Sequence, residues 1–486
     1  MKKLLPLFFL AFSIHQSFAQ QEYSSFTSTG RGVSTTLVTD YQAIGINPAN
    51  LGLHTEYETK HITIGLLEGA ASAYSNALNK ATFKNSLTNY GDIFNLEDKI
   101  KAAQQFAGNG VSANIDLMAL GIAIQSDKLG GLAFSVKESV RWYSKFSGLT
   151  ADLLFRGKTS AYFDQLLLNN GNIVPNDPAN YAAYEAIGIN QGIATNQLNL
   201  SALFDGSKIK NNWYREYNLN YGRKIFGNDL LYITAGVGVK YIQGFNYTEC
   251  EVKNGKIVMA GAFNPVFDID FGVGAENNPS AINSSNYQAI GSGYGFDFGA
   301  DIVINDKITI GAALTNIGSI NYTGNVYTIQ DTTLASMASG GSNNYNIFSQ
   351  APNILAKTGV LKWEGQDKIK VNLPAMLRLG ASIKLLEIAQ IGVDFIMPTN
   401  NEAGNFEKPY LGVGGDLKPL RWIRFSSGIN TGGNYNTRAN VPFGVTLIVG
   451  ENGTWELGAA TRDVVTYVRQ KGPNLSFAFG FLRFRL

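Results

Sequence analysis

Along much of the chain, apolar residues alternate with polar or small ones at every second position. In 230–241, Ile233, Ala235, Val237 and Val239 fall on one side, and Thr234, Gly236, Gly238 and Lys240 on the other. In 376–384, Leu377, Leu379, Ala381 and Ile383 alternate with Arg378, Gly380, Ser382 and Lys384. A period of two is that of a β-strand whose faces meet different surroundings. Fourteen such segments occur: 59–66, 111–124, 130–137, 215–222, 230–241, 293–304, 307–315, 376–384, 388–396, 409–416, 420–429, 441–449, 453–461 and 475–485. Most run for roughly ten residues, the length a tilted strand needs to cross the hydrocarbon of a bilayer.

The links between them are sorted by length. After even-numbered segments they are short, as at 125–129, 305–306 and 450–452; after odd-numbered ones they are long, as at 67–110, 138–214, 242–292 and 317–375. Short turns on one side and long loops on the other characterise bacterial outer-membrane barrels. A sandwich has no reason to sort its loops. The pattern therefore predicts an all-β fold, a transmembrane antiparallel barrel of about fourteen strands over 59–486. Its polar face, small and mixed in sign, would line the interior.

Composition agrees. Of 486 residues only 16% are charged, against roughly 25% in soluble domains. Glycine is unusually common, at 53 residues. Lys+Arg 39 against Asp+Glu 37 gives a net charge of +2, and Lys2 and Lys3 account for the excess; this balance argues against nucleic acid as a partner. Those lysines open a predicted signal peptide over 1–19, with an apolar Leu4–Ile14 run and a Ser17-Phe18-Ala19 cleavage pattern. Cys250 is the one cysteine, so no disulfide within the chain is expected. Beyond residue 19 no run of 18 apolar residues occurs, so no spanning helix is expected.

Residues 20–58 precede the first strand and contain Asn47-Pro48-Ala49-Asn50-Leu51-Gly52. A segment this long is expected inside the barrel as a hatch, because fourteen strands otherwise enclose an open pore. The long loops are rich in Asn, Gly, Ser and Tyr. Helical spacing occurs at 95–107 (Leu96, Ile100, Ala103, Phe106), and 160–169 carries an apolar Leu166–Leu168 cluster that could also sit in a short helix. These loops could collect a greasy ligand, or 138–214 and 317–375 could hold a protein partner.

The hatch motif, and a second stretch, Leu373-Pro374-Ala375-Met376-Leu377-Arg378-Leu379-Gly380 followed by Ile391-Gly392-Val393-Asp394-Phe395, resemble the FadL-type outer-membrane transporter superfamily. The opening stretch 23–53 also looks like barrels common in Bacteroidetes and like the FadL-related barrel subunits of type IX secretion. The resemblance implies uptake of hydrophobic, long-chain fatty-acid-like molecules through a plugged lumen, without covalent chemistry. The alternative is a barrel that binds a protein partner. Two features depart from the pattern: the chain ends in Leu486 rather than an aromatic residue, and the family's ligand contacts and kinked third strand do not align.

Enzyme chemistry finds little footing. Beyond residue 19 the histidines are His54 and His61, and neither a nucleophile elbow nor a phosphate loop occurs. No cofactor or metal is expected. Lys240, Asp297, Asp301, Arg378, Lys384 and Asp394 sit on the polar faces. An Arg or Lys facing lipid at mid-depth costs about 2–4 kcal/mol, so these side chains should point inward, as ion pairs bracing barrel and hatch or as ligand contacts. Trp142-Tyr143, Trp213-Tyr214, Tyr241, Tyr294, Trp422 and Trp455 are placed at the membrane boundaries as an aromatic girdle.

Overall fold

The computed structural model describes residues 25–53, 61–78, 94–126, 128–228, 230–345, 361–386, 388–402, 405–406, 408–433, 439–450, 454–468 and 474–486. The signal peptide expected over 1–19 and His54 lie outside these residues.

Fourteen strands form the wall: β1 (Ile62–Ser75), β2 (Gly110–Ser126), β3 (Gly130–Lys145), β4 (Lys208–Gly227), β5 (Leu231–Lys253), β6 (Gly291–Ile304) and β7 (Ile308–Tyr322). They continue with β8 (Met376–Leu386), β9 (Ala389–Pro398), β10 (Tyr410–Leu420), β11 (Ile423–Gly432), β12 (Phe443–Val449), β13 (Trp455–Thr461) and β14 (Asn474–Arg485). Each pairs antiparallel with the next, and β14 returns to β1 through partners such as Ala70↔Ala478, so the sheet closes. Every segment that the alternation predicts is one of these strands. Several are longer than the roughly ten residues a bilayer crossing needs, β4 at 20 residues and β5 at 23.

The alternation has the expected physical meaning. On β5, Val237, Val239 and Tyr241 are exposed outward while Thr234, Gly238 and Lys240 are buried inward. Phe296 and Phe298 on β6, Leu379 and Ile383 on β8, and Leu411 and Val413 on β10 extend the same apolar belt. An apolar belt on a closed sheet leaves no backbone edge to face lipid. The short links are tight: Asn305 and Asp306 both take left-handed backbone (φ 52° and 51°), the type I′ turn that matches strand twist.

Two expectations need correction. Of the aromatic residues assigned to the girdle, Tyr241, Tyr294, Trp422 and Trp455 are outward and exposed, and the Tyr217, Tyr241 and Tyr294 rings follow one another at 6.1 and 5.6 Å. Tyr143 and Tyr214, however, are buried, because a neighbour in sequence along a strand points to the opposite face. In the loops, residues 165–168 form a strand rather than a helix, in a separate four-stranded sheet with 173–175, 189–199 and 333–337. The helical spacing near 95–107 does yield α2 (Leu96–Phe106), where α1 is Phe26–Arg31. Asn95 and Asp98 close a capping box on α2, and Ala102, Ala103 and Phe106 bury its apolar side.

Much of the loops' apolar surface faces inward on itself. Leu153, Phe163, Leu200, Leu203, Tyr327 and Trp363 share one buried cluster, with Phe271 stacked on Tyr327 at 3.8 Å. The cluster is a folded cap rather than an open collecting surface.

Candidate functional site in the lumen

Residues 25–53 run through the barrel interior, nearly all of them buried. Ser25 Oγ caps α1 by accepting from the Ser28 N–H, and Gly32, at φ 71°, ends it. The Asn-Pro-Ala-Asn motif forms a 3₁₀ turn: Asn47 Oδ1 accepts from the Ala49 N–H at 3.1 Å, with Pro48 at the first position. Asn50 Nδ2 reaches back to the carbonyls of Thr35 (3.0 Å) and Val38 (2.8 Å). Asn47 Nδ2 donates to Thr35 O and, at 2.7 Å, to Asp301 Oδ1 on β6. The motif thus ties the segment to itself and to the wall. Asn50→Ala removes two donors from buried carbonyls and is expected to loosen 34–50 by about 1–3 kcal/mol. Faster amide exchange across that stretch, with barrel amides unchanged, is the measurement.

What lets the segment sit so close is glycine. Each of the fourteen strands presents an inward glycine whose Cβ, were it present, would come within 3.1 Å of an atom of the segment. On β1–β3 these are Gly65, Gly121 and Gly131; on β4–β7, Gly222, Gly236, Gly299 and Gly311. On β8–β11 they are Gly380, Gly392, Gly414 and Gly428; on β12–β14, Gly444, Gly458 and Gly480. Many are direct cross-strand partners, as in Gly65↔Gly121, Gly222↔Gly236, Gly236↔Gly299 and Gly414↔Gly428. Six of the contacts are with backbone, as at Gly236 with Pro48 C (2.3 Å) and Gly414 with Arg31 O (2.0 Å), and the others are with side chains such as Tyr41 and Phe26. Only a residue without a side chain permits such an approach. This girdle accounts for a large share of the glycine excess.

Carboxylates on separate strands pin the segment above the girdle and below it. Asp394 on β9 accepts the Ser34 N–H at 2.7 Å and the Thr35 N–H at 3.1 Å. Asp416 on β10 pairs with Arg31 at 2.8 Å. Glu68 on β1 accepts from Tyr41 Oη and from Gln42 Nε2 at 3.0 Å. Arg483 on β14 joins Asp40 of the segment to Glu456 on β13. Tyr410 Oη donates to Gly32 O at 2.6 Å.

Irregularities in the wall aim some of these groups. Leu66 pairs with Leu120 and Glu68 with Met118, while Leu67 and Ala119 between them are unpaired, and the β2–β3 register shifts at Ala119. Leu67 is left-handed at φ 53° and exposed, and past this break Glu68 is buried. On β7, Asn316 (φ 62°) donates its N–H to Asp297 at 2.8 Å and Nδ2 to Pro374 O at 3.1 Å, and accepts from Lys240 Nζ.

The structure buries all five luminal candidates, Lys240, Asp297, Asp301, Arg378 and Asp394. Asp301 and Asp394 touch the segment. Lys240 and Asp297 form an ion pair at 3.1 Å. Arg378 and Lys240 line one cavity of about 60 Å³, floored by Ile44, Gly45 and Ile46 and bordered by Pro374 and Met376. That is room for a few waters. Lys384, also read as inward, lies exposed at the short-turn mouth. Sequence reading missed Asp116–Arg141 (2.6 Å) and Lys137–Glu216 (3.1 Å), which line the same cavity. Asp116 lay inside an expected strand at the parity of its inward neighbours and could have been found. His61 is exposed at the start of β1. Among the described residues no group of three or more His, Cys, Asp or Glu side chains could hold a metal.

A family model described as "Family of unknown function (DUF5723)" matches residues 174–451. No curated protein matches the chain. Among solved structures the chain is similar to a Pseudomonas aeruginosa FadL homologue, at 14% identity and a TM-score of 0.45, covering 96% of this chain and 99% of that one. It is similar to the Pseudomonas putida toluene transporter TodX at 10% identity and a TM-score of 0.42, covering 97% and 99%. A TodX deltaS2S3 mutant, a monoaromatic hydrocarbon channel, matches at 11% identity and a TM-score of 0.45, covering 95% and 98%.

Proposed function

The chain belongs to the family of unknown function DUF5723, whose description names no activity, and from its own lumen we propose that it is a plugged outer-membrane barrel admitting small hydrophobic molecules. Residues 25–53 are the plug, and the chain is exported by the signal peptide over 1–19. One observation carries the reading. Ile44, Gly45 and Ile46 of the plug, immediately before the hatch motif, and Pro374, Met376 and Arg378 of the second stretch, more than 300 residues away in sequence, border one cavity.

The chemistry required is passage, not reaction. A greasy molecule crosses the glycan-bearing leaflet slowly, and a protein path lowers that barrier. Exposed Val266, Phe267 and Tyr287 in the loops supply apolar surface at the entrance, and the plug blocks ions below it. The ligand leaves past the plug or through the wall beside Leu67 and Ala119, which stand unpaired between β1 and β2.

The test is uptake. Cells carrying the intact protein should accumulate a radiolabelled C12 alcohol or C12 acid several-fold faster than deletion cells, while a small hydrophilic sugar enters both at one rate. Equal uptake of the C12 compounds by both strains sinks the reading. Faster sugar entry with the protein indicates an open porin instead.

A further inference from the structure

On the outer face of the wall, β3–β5 carry polar chemistry where the apolar belt ends. Leu219, Val239 and Phe296 are register partners in the belt, and Tyr217, Tyr241 and Tyr294 form the next row toward the long loops. Beyond that row stand Arg215 and Gln243, partners across β4 and β5, with Glu138 beside Arg215 on β3. Glu138 takes the Arg215 guanidinium in a fork, from Nε at 3.0 Å and Nη2 at 2.6 Å, and accepts from Trp213 Nε1 at 2.8 Å. Arg215 and Glu138 keep 30% and 27% of their side-chain surface in solvent. An arginine facing hydrocarbon at mid-depth is costly, so the pair fixes the level: it lies among the lipid head groups, just outside the chains. Here the β4–β5 register shifts, Trp213 pairing with Asn246 and Tyr214 with Gly244, and Phe245 is the extra residue. Arg215 lies over the Phe245 ring at 5.2 Å. Tyr287, from the long link between β5 and β6, stacks on Phe245 at 4.7 Å, and Trp213 meets Tyr287 at 5.4 Å and Phe267 at 6.3 Å. Tyr287 and Phe267 are exposed, so this side of the entrance turns toward the membrane.

The result is a shelf of flat apolar rings edged by hydrogen-bonding groups, with no net charge. We propose that this shelf seats the sugar head of an outer-leaflet glycolipid, anchoring the barrel in the glycan layer, a role beyond admitting ligands. The C–H face of a sugar ring lies on Tyr287 and Phe267, and its hydroxyls meet the Glu138–Arg215 fork and Tyr287 Oη. A bare acyl chain would leave the fork without polar partners. A phosphate would draw on an excess of positive charge, and the paired fork supplies none. The shelf is continuous with the lipid belt through the tyrosine row, so one lipid can lay its chains on the belt and its head on the rings. Aromatic side chains with an apolar body and a polar tip suit such a boundary. The proposal rests on the reading of the chain as an outer-membrane barrel, not on the passage of any ligand.

The experiment is native mass spectrometry of the full chain, purified in an uncharged, sugar-free oxyethylene detergent and mixed with equal amounts of three lipids sharing the same acyl chains. Diglucosyl-diacylglycerol carries a neutral sugar head, phosphatidylglycerol an anionic one, and diacylglycerol none. The parent should retain the glucosyl lipid about tenfold better than either of the others. Tyr287→Ala with Phe267→Ala removes two exposed loop rings, leaves the wall intact, and should abolish most of that preference. Glu138→Gln with Arg215→Gln keeps the rings and the net charge and should lower the preference severalfold. Equal retention of the three lipids overturns the proposal, as does unchanged preference in the Tyr287, Phe267 double variant. Preference for phosphatidylglycerol also overturns it and marks a phosphate site; a chain dimer lost in the same double variant overturns it in favour of an interface between copies. Retention is read without transport, so a failed uptake test leaves it standing, whereas recovery of the chain in soluble form without detergent defeats the barrel reading before any lipid is added.

Discussion

Valine at Gly236 and Gly299 together is expected to turn a silent barrel into a conducting one. The new Cβ atoms would fall 2.3 Å from Pro48 C and 2.0 Å from Asn47 Oδ1. Ordinary overpacking costs about 1–3 kcal/mol when side chains can shift. At Gly236 the obstacle is the backbone of a turn already fixed by Asn47 and Asn50, so the segment must leave its seat. The wall itself gains two β-branched residues, which strands favour, and should keep its heat-resistant electrophoretic mobility. In planar bilayers the double variant should show stepwise conductance where the parent shows little. Gly148→Ala meets nothing within 4 Å and is the matched control. A silent double variant would mean that glycine at these positions does not determine seating.

The second large effect concerns charge. Arg31 and Asp416 are both nearly fully buried and lie 2.8 Å apart. Arg31→Met strands a carboxylate in the lumen, and breaking one side of a buried pair typically costs about 3–5 kcal/mol. Ser426 and Gln390 also donate to Asp416, which places the expected loss near the lower end. Arg31→Met combined with Asp416→Leu removes both charges and should recover most of it. Protease nicking of the N-terminal segment in the folded protein is the readout, with the order parent, double variant, single variant from slowest to fastest. Equal rates for the two variants would show that the pair adds nothing to retention.

The wall was legible because lipid enforces a rule on every strand. Val237 and Phe298 must face hydrocarbon, and Thr234 and Asp301 must not, so parity is written into each segment. Parity fails where the backbone breaks it. Glu68 lies two residues past the expected end of the first strand, beyond a left-handed break at Leu67 that no local residue announces, and so a principal anchor went unseen. Tyr143 and Tyr214 follow tryptophans in sequence, but alternation along the strand turns them to the buried face. The glycine excess was visible, yet its arrangement as a ring was not. Which glycines face one another depends on register, and register comes from long-range pairing between strands far apart in sequence.

The ring also fixes an order of events during biogenesis. Tyr41 rests on Gly65 and Gly121 near one end of the sheet, and Phe26 on Gly458 and Gly480 near the other. Neither end alone makes the cradle; it comes into being when the final hairpin docks against the opening strand. An unfinished barrel therefore has nowhere to stow its leading segment. Burial of Phe26 and Tyr41 together marks the moment at which the cylinder has closed.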